Sequence, residues 1–432
     1  MSFLIAILVF LLTYAFIITD KINRAVVALA GAAIMVLLGI VDLQKAFTEH
    51  IEWGTITLLI GMMILVGITN KTGVFQYAAV WSAKLVKGRP IQILVILSIL
   101  TGVGSAFLDN VTTVLLIVPV TFSITRILGV KPVPFLLSEV LFSNIGGTAT
   151  LIGDPPNIMI GQSVPTLTFN AFLLNLTPII IVIGAVTLLA LYFIYRKDLV
   201  VSDEKRLALM ALDEKSFIKD PKLMKKSLIV LGLTLLGFIL HGVLPTVEAP
   251  AVAVSGATLL MLIGVKKNEV EEVFSHVEWE TLFFFAGLFT LIGGLQDIGV
   301  IKDLATAALN LTGGSIPFAS MLVLWVSGIA SATIDNIPYV ATLIPLLKNM
   351  IQTMGLSPTS PNVEALWWSL SLGACLGGNG TLIGASANVI VAGLAEREGH
   401  GFSYWEFLKI GAPLTLLALG LSTIYIYLRY LI

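Results

Sequence analysis

The sequence is short of charge. Of its 432 residues only 12% are Asp, Glu, Lys or Arg, against 57% hydrophobic, and the mean hydropathy is +0.98. Soluble domains carry about 25% charged residues, so half that density cannot cover a water-facing surface. This excludes a soluble enzyme, a nucleic-acid binder and a disordered chain, and points to a polytopic membrane protein solvated by lipid. Cysteine is nearly absent: Cys375 alone excludes a disulfide framework and any multi-cysteine metal site. The four histidines, His50, His241, His276 and His400, make no zinc pattern, so neither a metal nor a cofactor is expected. No basic residue precedes the first apolar run and no small-residue cleavage site stands out. That run reads as a true crossing with its N-terminus outside, not as a signal peptide.

What the sequence has is long uncharged runs. Met1–Thr19, Ala25–Val41, Trp53–Asn70, Pro90–Leu108, Val111–Thr125, Phe135–Gln162 and Phe172–Tyr195 precede a polar stretch, 196–226. Ser227–Leu244, Ala249–Val265, Thr281–Gln296, Ser315–Leu347, Ala365–Ala395 and Ile410–Leu428 follow it. A crossing helix needs about 20 residues, with roughly 17 as the lower end. Barrel strands would alternate apolar and polar residues, and these runs do not. The expected fold is therefore all-α.

The chain also repeats itself. Glu52-Trp53 recurs as Glu278-Trp279, Asp109-Asn110 as Asp335-Asn336 and Pro119 as Pro345, all at an offset of 226 residues. Gly61, Gly67 and Gly73 match Gly287, Gly293 and Gly299 at the same offset. Further on, Thr150-Leu-Ile-Gly153 matches Thr381-Leu-Ile-Gly384 and Asn157 matches Asn388 at an offset of 231. Residues 1–195 form the first repeat, 196–226 a solvated linker and 227–432 the second repeat. If each Asp-split segment (90–126 and 315–347) enters and leaves on one side, each half crosses five times and the halves are inverted. The stretches 20–24, 71–90, 126–134, 196–226, 266–279 and 396–409 then hold 21 of the 25 Lys and Arg. The other side holds only Lys45, Lys302, Lys348 and Arg429. The positive-inside rule makes the linker cytoplasmic and both termini external. The expected architecture is about ten transmembrane helices, two re-entrant hairpins and two broken helices, 135–162 and 365–395.

Carboxylates inside apolar segments are costly, about 2.5–3.5 kcal/mol at mid-membrane on insertion scales. Asp109 and Asp335 hold matching positions, each followed by Asn (Asn110, Asn336), with Thr112 and other Ser, Thr and Gly residues nearby. The alternative to a hairpin is a water-facing loop between two full crossings, which leaves the crossing count unchanged. Val111–Thr125 is short for a full crossing, and this favours the hairpin. The second constellation is Asn144, Thr148 and Thr150 followed by Gly153-Asp154-Pro155-Pro156-Asn157. Its partner is Asn379 and Thr381 followed by Gly384-Ala385-Ser386-Ala387-Asn388. Such sequences break a helix and free carbonyls and N–H groups, which membranes tolerate only at a cavity or ligand. Paired breaks at a repeat interface mark a midplane site. Close helix packing would account for Gly146 and Gly147 but not for the Asp-Pro-Pro or the paired asparagines. Asp154 has no repeat counterpart, since Ala385 stands opposite. Glu139 lies nearer a segment end and reads as facing water. Trp53, Trp279, Tyr404 and Trp405 read as interface anchors and His241 as interfacial.

These motifs resemble the ion transporter superfamily, in the branch that holds ArsB-type arsenite permeases, the melanosomal P protein and D-type sodium/proton antiporters. The resemblance covers nearly the whole chain. It implies an inverted-repeat scaffold, a moving substrate-bearing region and a homodimer. It places Asp109, Asn110, Asp335 and Asn336 at hairpin tips, and Asn144, Thr148, Thr150, Asp154, Asn157, Asn379, Thr381 and Asn388 at or beside the helix breaks. The dicarboxylate branch carries a Ser-Asn-Thr type of tip, and this chain has Asp-Asn.

The candidate site as read from sequence holds acids and amides but no Lys or Arg. This favours a proton, Na⁺ or a neutral hydroxylated solute over a bare anion. The expectation is a secondary transporter at the plasma membrane, exporting arsenite or antimonite in exchange for H⁺, with sodium/proton exchange as the alternative. A dicarboxylate symporter, a passive channel and an intramembrane aspartyl protease are the further alternatives. The expected partners are the lipid bilayer, a small inorganic solute and a second copy of the chain. A soluble ATPase partner is left undecided, and nucleic acid is excluded.

Overall fold

A computed structural model describes residues 2–19, 21–241 and 247–432, and the described residues are helices and connections without a strand. Met1 and residues 242–244, at the ends of two expected spans, lie outside the described residues. The first half contains α1 (Ser2–Thr19), α2 (Arg24–Leu37), α3 (Trp53–Lys71), α4 (Val74–Leu85), α5 (Pro90–Leu108), α6 (Asn110–Leu128), α7 (Val133–Thr148), α8 (Pro155–Ser163), α9 (Phe169–Asn175) and α10 (Thr177–Tyr195). After α11 (Asp203–Met210) come α12 (Pro221–His241), α13 (Ala249–Gly264), α14 (Trp279–Asp297), α15 (Val300–Thr312), α16 (Ile316–Thr333), α17 (Asn336–Thr353), α18 (Glu364–Gly377), α19 (Ser386–Arg397) and α20 (Tyr404–Ile426). Among the described residues, eight helices are long and apolar enough to cross a membrane.

The helix starts keep the repeat register. Trp53 and Trp279, Val74 and Val300, Pro90 and Ile316, and Asn110 and Asn336 all differ by 226; Pro155 and Ser386 differ by 231. Packing follows the same rule with the halves exchanged. Helix α2 lies on α14 while its equivalent α13 lies on α3, and α8 touches α17 while α19 touches α6. This exchange is what a pseudo-twofold relation between halves produces. Glycine permits the closest of these approaches: a Cβ on Gly61 would meet the Ala253 backbone, and one on Gly287 the Ala28 backbone.

Several segments differ from the sequence reading. Arm α6 runs 19 residues, beyond the 111–125 run, because Arg126 at its end is exposed and paired with Glu398 and so does not stop it. The shortness of that run is therefore no argument for re-entry. Phe172–Tyr195 is not one span but α9 and α10, parted at Leu176, where Pro178 opens the second helix. The linker is not simply solvated. It folds against the cytoplasm-assigned ends of α4 and α6, buries Leu209, and ties down through Lys84 to Glu214 at 2.5 Å and Lys219 N–H to the Thr72 carbonyl at 2.9 Å. Its apolar residues explain this: polar composition hid a small amphipathic helix, α11.

Candidate functional site

Each hairpin tip is built by its own aspartate capping the second arm. Asp109 Oδ1 accepts the Thr112 N–H at 2.9 Å and Oδ2 accepts the Thr112 hydroxyl at 2.6 Å. Its φ of 102° lies where side chains are normally excluded, a conformation costing about 1–3 kcal/mol. Asp335 caps α17 from an ordinary backbone, accepting the Ile337 N–H at 3.0 Å.

The helix breaks lie against these tips, and asparagine amides do the joining. Asn110 donates to Asn144 Oδ1 at 3.1 Å. Asn144 in turn donates to Asn379 Oδ1 at 2.8 Å and Asn388 Oδ1 at 3.0 Å, crossing from one repeat to the other. Asn379 continues to the Leu141 carbonyl at 3.0 Å. Asn157 closes its own break, donating to the carbonyls of Thr148 (3.1 Å) and Thr150 (2.9 Å) and accepting from Ser371 at 2.6 Å. Asn388 does the same in the second half, on Gly378 and Thr381. Thr150 donates to the Ala106 carbonyl, Thr381 to the Ala332 carbonyl and Thr148 to the Asn144 carbonyl. Buried backbone groups freed by a break must find partners, and these side chains supply them. Of the sequence-predicted residues, the threonines at the breaks and Asn157 thus hold the break itself, while the aspartates retain acceptor capacity toward a cavity.

Asp154, without a repeat counterpart, is held across the repeats. It is buried, and Asn336 from the other repeat donates to it at 3.2 and 3.4 Å. The repeat accounts for this: the position equivalent to Asn144 is Cys375, at an offset of 231, so Asn336 has no amide there to match the Asn110–Asn144 bond and donates to Asp154 instead. Cys375 is buried, 3.6 Å from Asn157 Oδ1.

The site is also not free of cations. Arg24, at the start of α2, places Nη1 3.1 Å from Asp335 Oδ2 and 2.7 Å from Ser386 Oγ, and its guanidinium lies 5.3 Å over the Phe284 ring. Ser386 donates to the same carboxylate at 2.7 Å. No sequence signal marked Arg24, because its repeat position is Pro250 and its partner is 311 residues away. Glu139, expected to face water, is wholly buried against Thr121. Among the described residues no Lys, Arg or His lies within ion-pair distance of Asp109, Asp154 or Glu139. No cluster of three or more metal-ligating side chains occurs among them either.

A narrow cleft between the tips is lined by Asp109, Asn110, Asp154, Asn336, Arg24 and Glu278. It shares Arg24, Val111, Glu278 and Ser386 with a wide cavity of about 590 Å³ that reaches Asn23, Thr333 and Asp335. A smaller cavity of about 230 Å³ holds Glu52, the repeat partner of Glu278, with His50, Gln296 and Lys348, and does not include the tip aspartates.

Repeated broken helices, capped tips that touch them and an apolar exterior define a multi-pass membrane transporter built on an inverted repeat. The comparisons agree. A family model described as citrate transporter matches residues 14–373, and the chain belongs to that family within the ion transporter superfamily. The chain is 44% identical to an "uncharacterized transporter" of Mycobacterium tuberculosis, with 99% of each chain covered. It is 33% identical to the human P protein, covering 97% of this chain and 59% of that one. The crystal structure of the Alcanivorax borkumensis YdaH transporter has the same fold, with a TM-score of 0.59 at 16% identity over 92% of this chain and 87% of that one. Family and relatives are transporters, not enzymes, which sets the aspartyl protease alternative aside.

Proposed function

We propose that the protein is a proton-coupled secondary transporter that exports arsenite or antimonite by alternating access at the tip cleft. The observation that carries this reading is the lining of that cleft: Asp109, Asp154 and Glu278 face it with amides and hydroxyls, and the one guanidinium, Arg24, is already matched by Asp335. A multiply charged anion would meet excess carboxylate there, at short range and low dielectric. A neutral hydroxide finds donors and acceptors, and a carboxylate can exchange a proton with it. The wide cavity opens on the side that the basic residues assign to the cytoplasm, so the conformation is read as inward-open, with both termini outside. A homodimer belongs to the same reading.

Sodium/proton exchange is the second reading, favoured by Asp109, a carboxylate with one hydroxyl and one backbone N–H donor and, among the described residues, no basic partner in ion-pair distance. Proteoliposomes separate them. Arsenite should accumulate against its gradient when a pH gradient is imposed, and citrate should not. Sodium-evoked proton movement without metalloid would sink the first reading in favour of the second. Citrate accumulation would overturn both. Flux that never exceeds the solute's own gradient would mean a channel. Asp109→Asn and Asp335→Asn should each abolish coupled flux.

A further inference from the structure

We propose that Glu139 is a proton-binding site in its own right, separate from the tip cleft and present in only one half of the molecule. Glu139 lies on α7 and is wholly buried. Its Oε1 accepts the Thr121 hydroxyl at 2.5 Å, and its Oε2 is buried with no hydrogen-bond partner among the described residues. The titratable and charged groups on the elements packed against α7 are few. Arm α5 carries no charged side chain, α6 carries only Arg126 (paired with Glu398), and α10 only Tyr192 and Tyr195. Helix α18 offers Glu364 at its start and Cys375, and α19 offers Glu396 and Arg397 at its end. None of these makes an ion pair or hydrogen bond to Glu139 among the described residues.

The repeat supplies the comparison that decides the matter. Glu139 corresponds to Leu370 at the offset of 231, and Thr121 to Leu347 at the offset of 226. Both leucines are buried, on helices α17 and α18, which pack against each other. The second half therefore fills these two buried positions with aliphatic side chains, where nothing else is asked of them. In the first half it holds a carboxyl group with one idle oxygen, and an unpaired charge there is costly while a single proton removes it. The chemistry fits one ligand: H⁺ on Oε2, with Thr121 holding Oε1. Asp109 caps the far end of α6, twelve residues from Thr121, about 18 Å along a helix, so the two carboxyls are distinct sites. Along α7, Glu139 stands between the Arg126–Lys131 loop and Asn144.

The role assigned to the bound proton rests on the proton-coupled reading above, so the test separates the two. Purified protein in nanodiscs is titrated by infrared difference spectroscopy, with Glu139→Gln beside wild type. A protonated-carboxyl C=O band that comes and goes with pH should be present in wild type and lost in the variant. A band identical in both, or a Glu139 band that never titrates while the protein stays folded, would overturn the site. The paired variant Thr121→Leu/Glu139→Leu copies the second half and should keep the thermal midpoint while losing the band. In proteoliposomes it should carry fewer protons per solute than wild type; an unchanged ratio would overturn the role in coupling. Loss of pH-driven flux in wild type with the band intact would instead remove the proposed function and leave the site standing.

Discussion

Asp109 and Asp335 occupy matching positions in different electrostatic settings. Among the described residues the Asp109 carboxylate is bound by Thr112 alone and sits on a strained backbone; Asp335 has an arginine, a serine and a relaxed cap. The Arg24–Asp335 pair is three-quarters or more buried, with side-chain exposures of 25% and 17%, between the surface limit where pairs contribute little and the interior limit where losing one partner is severe. Arg24→Gln leaves the Asp335 charge held by Ser386 and one N–H. A double-mutant cycle of Arg24→Gln with Asp335→Asn should give a coupling energy of about 1–3 kcal/mol in thermal unfolding in detergent. The double variant should be more stable than Arg24→Gln alone, yet remain unable to run coupled flux. A coupling energy near zero would mean that solvent in the wide cavity already screens the pair. Arg24→Lys should keep most of the stability, because Asp335 uses a single guanidinium nitrogen.

At the scale of elements, the helix breaks were legible because their chemistry is local. Gly153-Asp154-Pro155-Pro156 stops a helix wherever it stands, and the repeated Asp-Asn announces two equivalent caps. The repeat register was legible for the same reason, down to the step from 226 to 231. What could not be read was pairing across the repeats: Arg24 with Asp335 and Asn336 with Asp154 join residues 311 and 182 positions apart. Glu139 was misjudged because distance from a segment end says nothing about which face of the helix points inward. The close helix contacts give a direct test. A Cβ on Gly146 would strike the Gly102 carbonyl of the neighbouring arm, whereas one on Gly232 meets nothing within 4 Å. Gly146→Ala should lower stability by about 1–3 kcal/mol by overpacking, and Gly232→Ala should leave it unchanged or raise it slightly. Equal effects would deny the arm-to-break packing. The docked linker makes a pH prediction. The Lys84 ammonium beside Glu214 holds that carboxyl below its ordinary value. A depressed folded value means the bridge favours docking above the unfolded carboxyl pKa, and that contribution is lost as pH falls through the folded value. Proteolysis within 203–220 should therefore be slow near neutrality and rise in acid. Glu214→Gln should be cleaved faster near neutrality, with the acid-dependent rise much reduced.

The whole molecule combines a nearly symmetric scaffold with an asymmetric set of charges. The two halves exchange packing partners, yet Asp154 faces Ala385 in the repeat, Arg24 faces Pro250 and Glu139 faces Leu370. An inverted repeat lets one half take up the conformation of the other, which is how such scaffolds exchange access between sides. Here the wide cavity at Glu278 and the small one at Glu52 are the two unequal versions of one feature. If the basic residues set the orientation, the wide cavity and the linker must share a side, and the turn around Ser357 must lie opposite. Cysteine chemistry can decide this, since Cys375 is buried and gives a low background. Lys215, Thr333 and Ser357 are all exposed. In sealed, right-side-out vesicles a membrane-impermeant maleimide should label Ser357→Cys at once. Lys215→Cys and Thr333→Cys should react only after the vesicles are opened. Labelling of Lys215→Cys from outside would reverse the orientation. Labelling of Thr333→Cys together with Ser357→Cys would break the link between cavity and linker, and with it the inward-open assignment. In sealed inside-out vesicles, whose outer face carries the wide cavity and the linker, adding arsenite while a pH gradient drives turnover should slow labelling of Thr333→Cys, because each outward excursion closes the cavity that exposes it, while Lys215→Cys, outside the cavity, should react at the same rate as before.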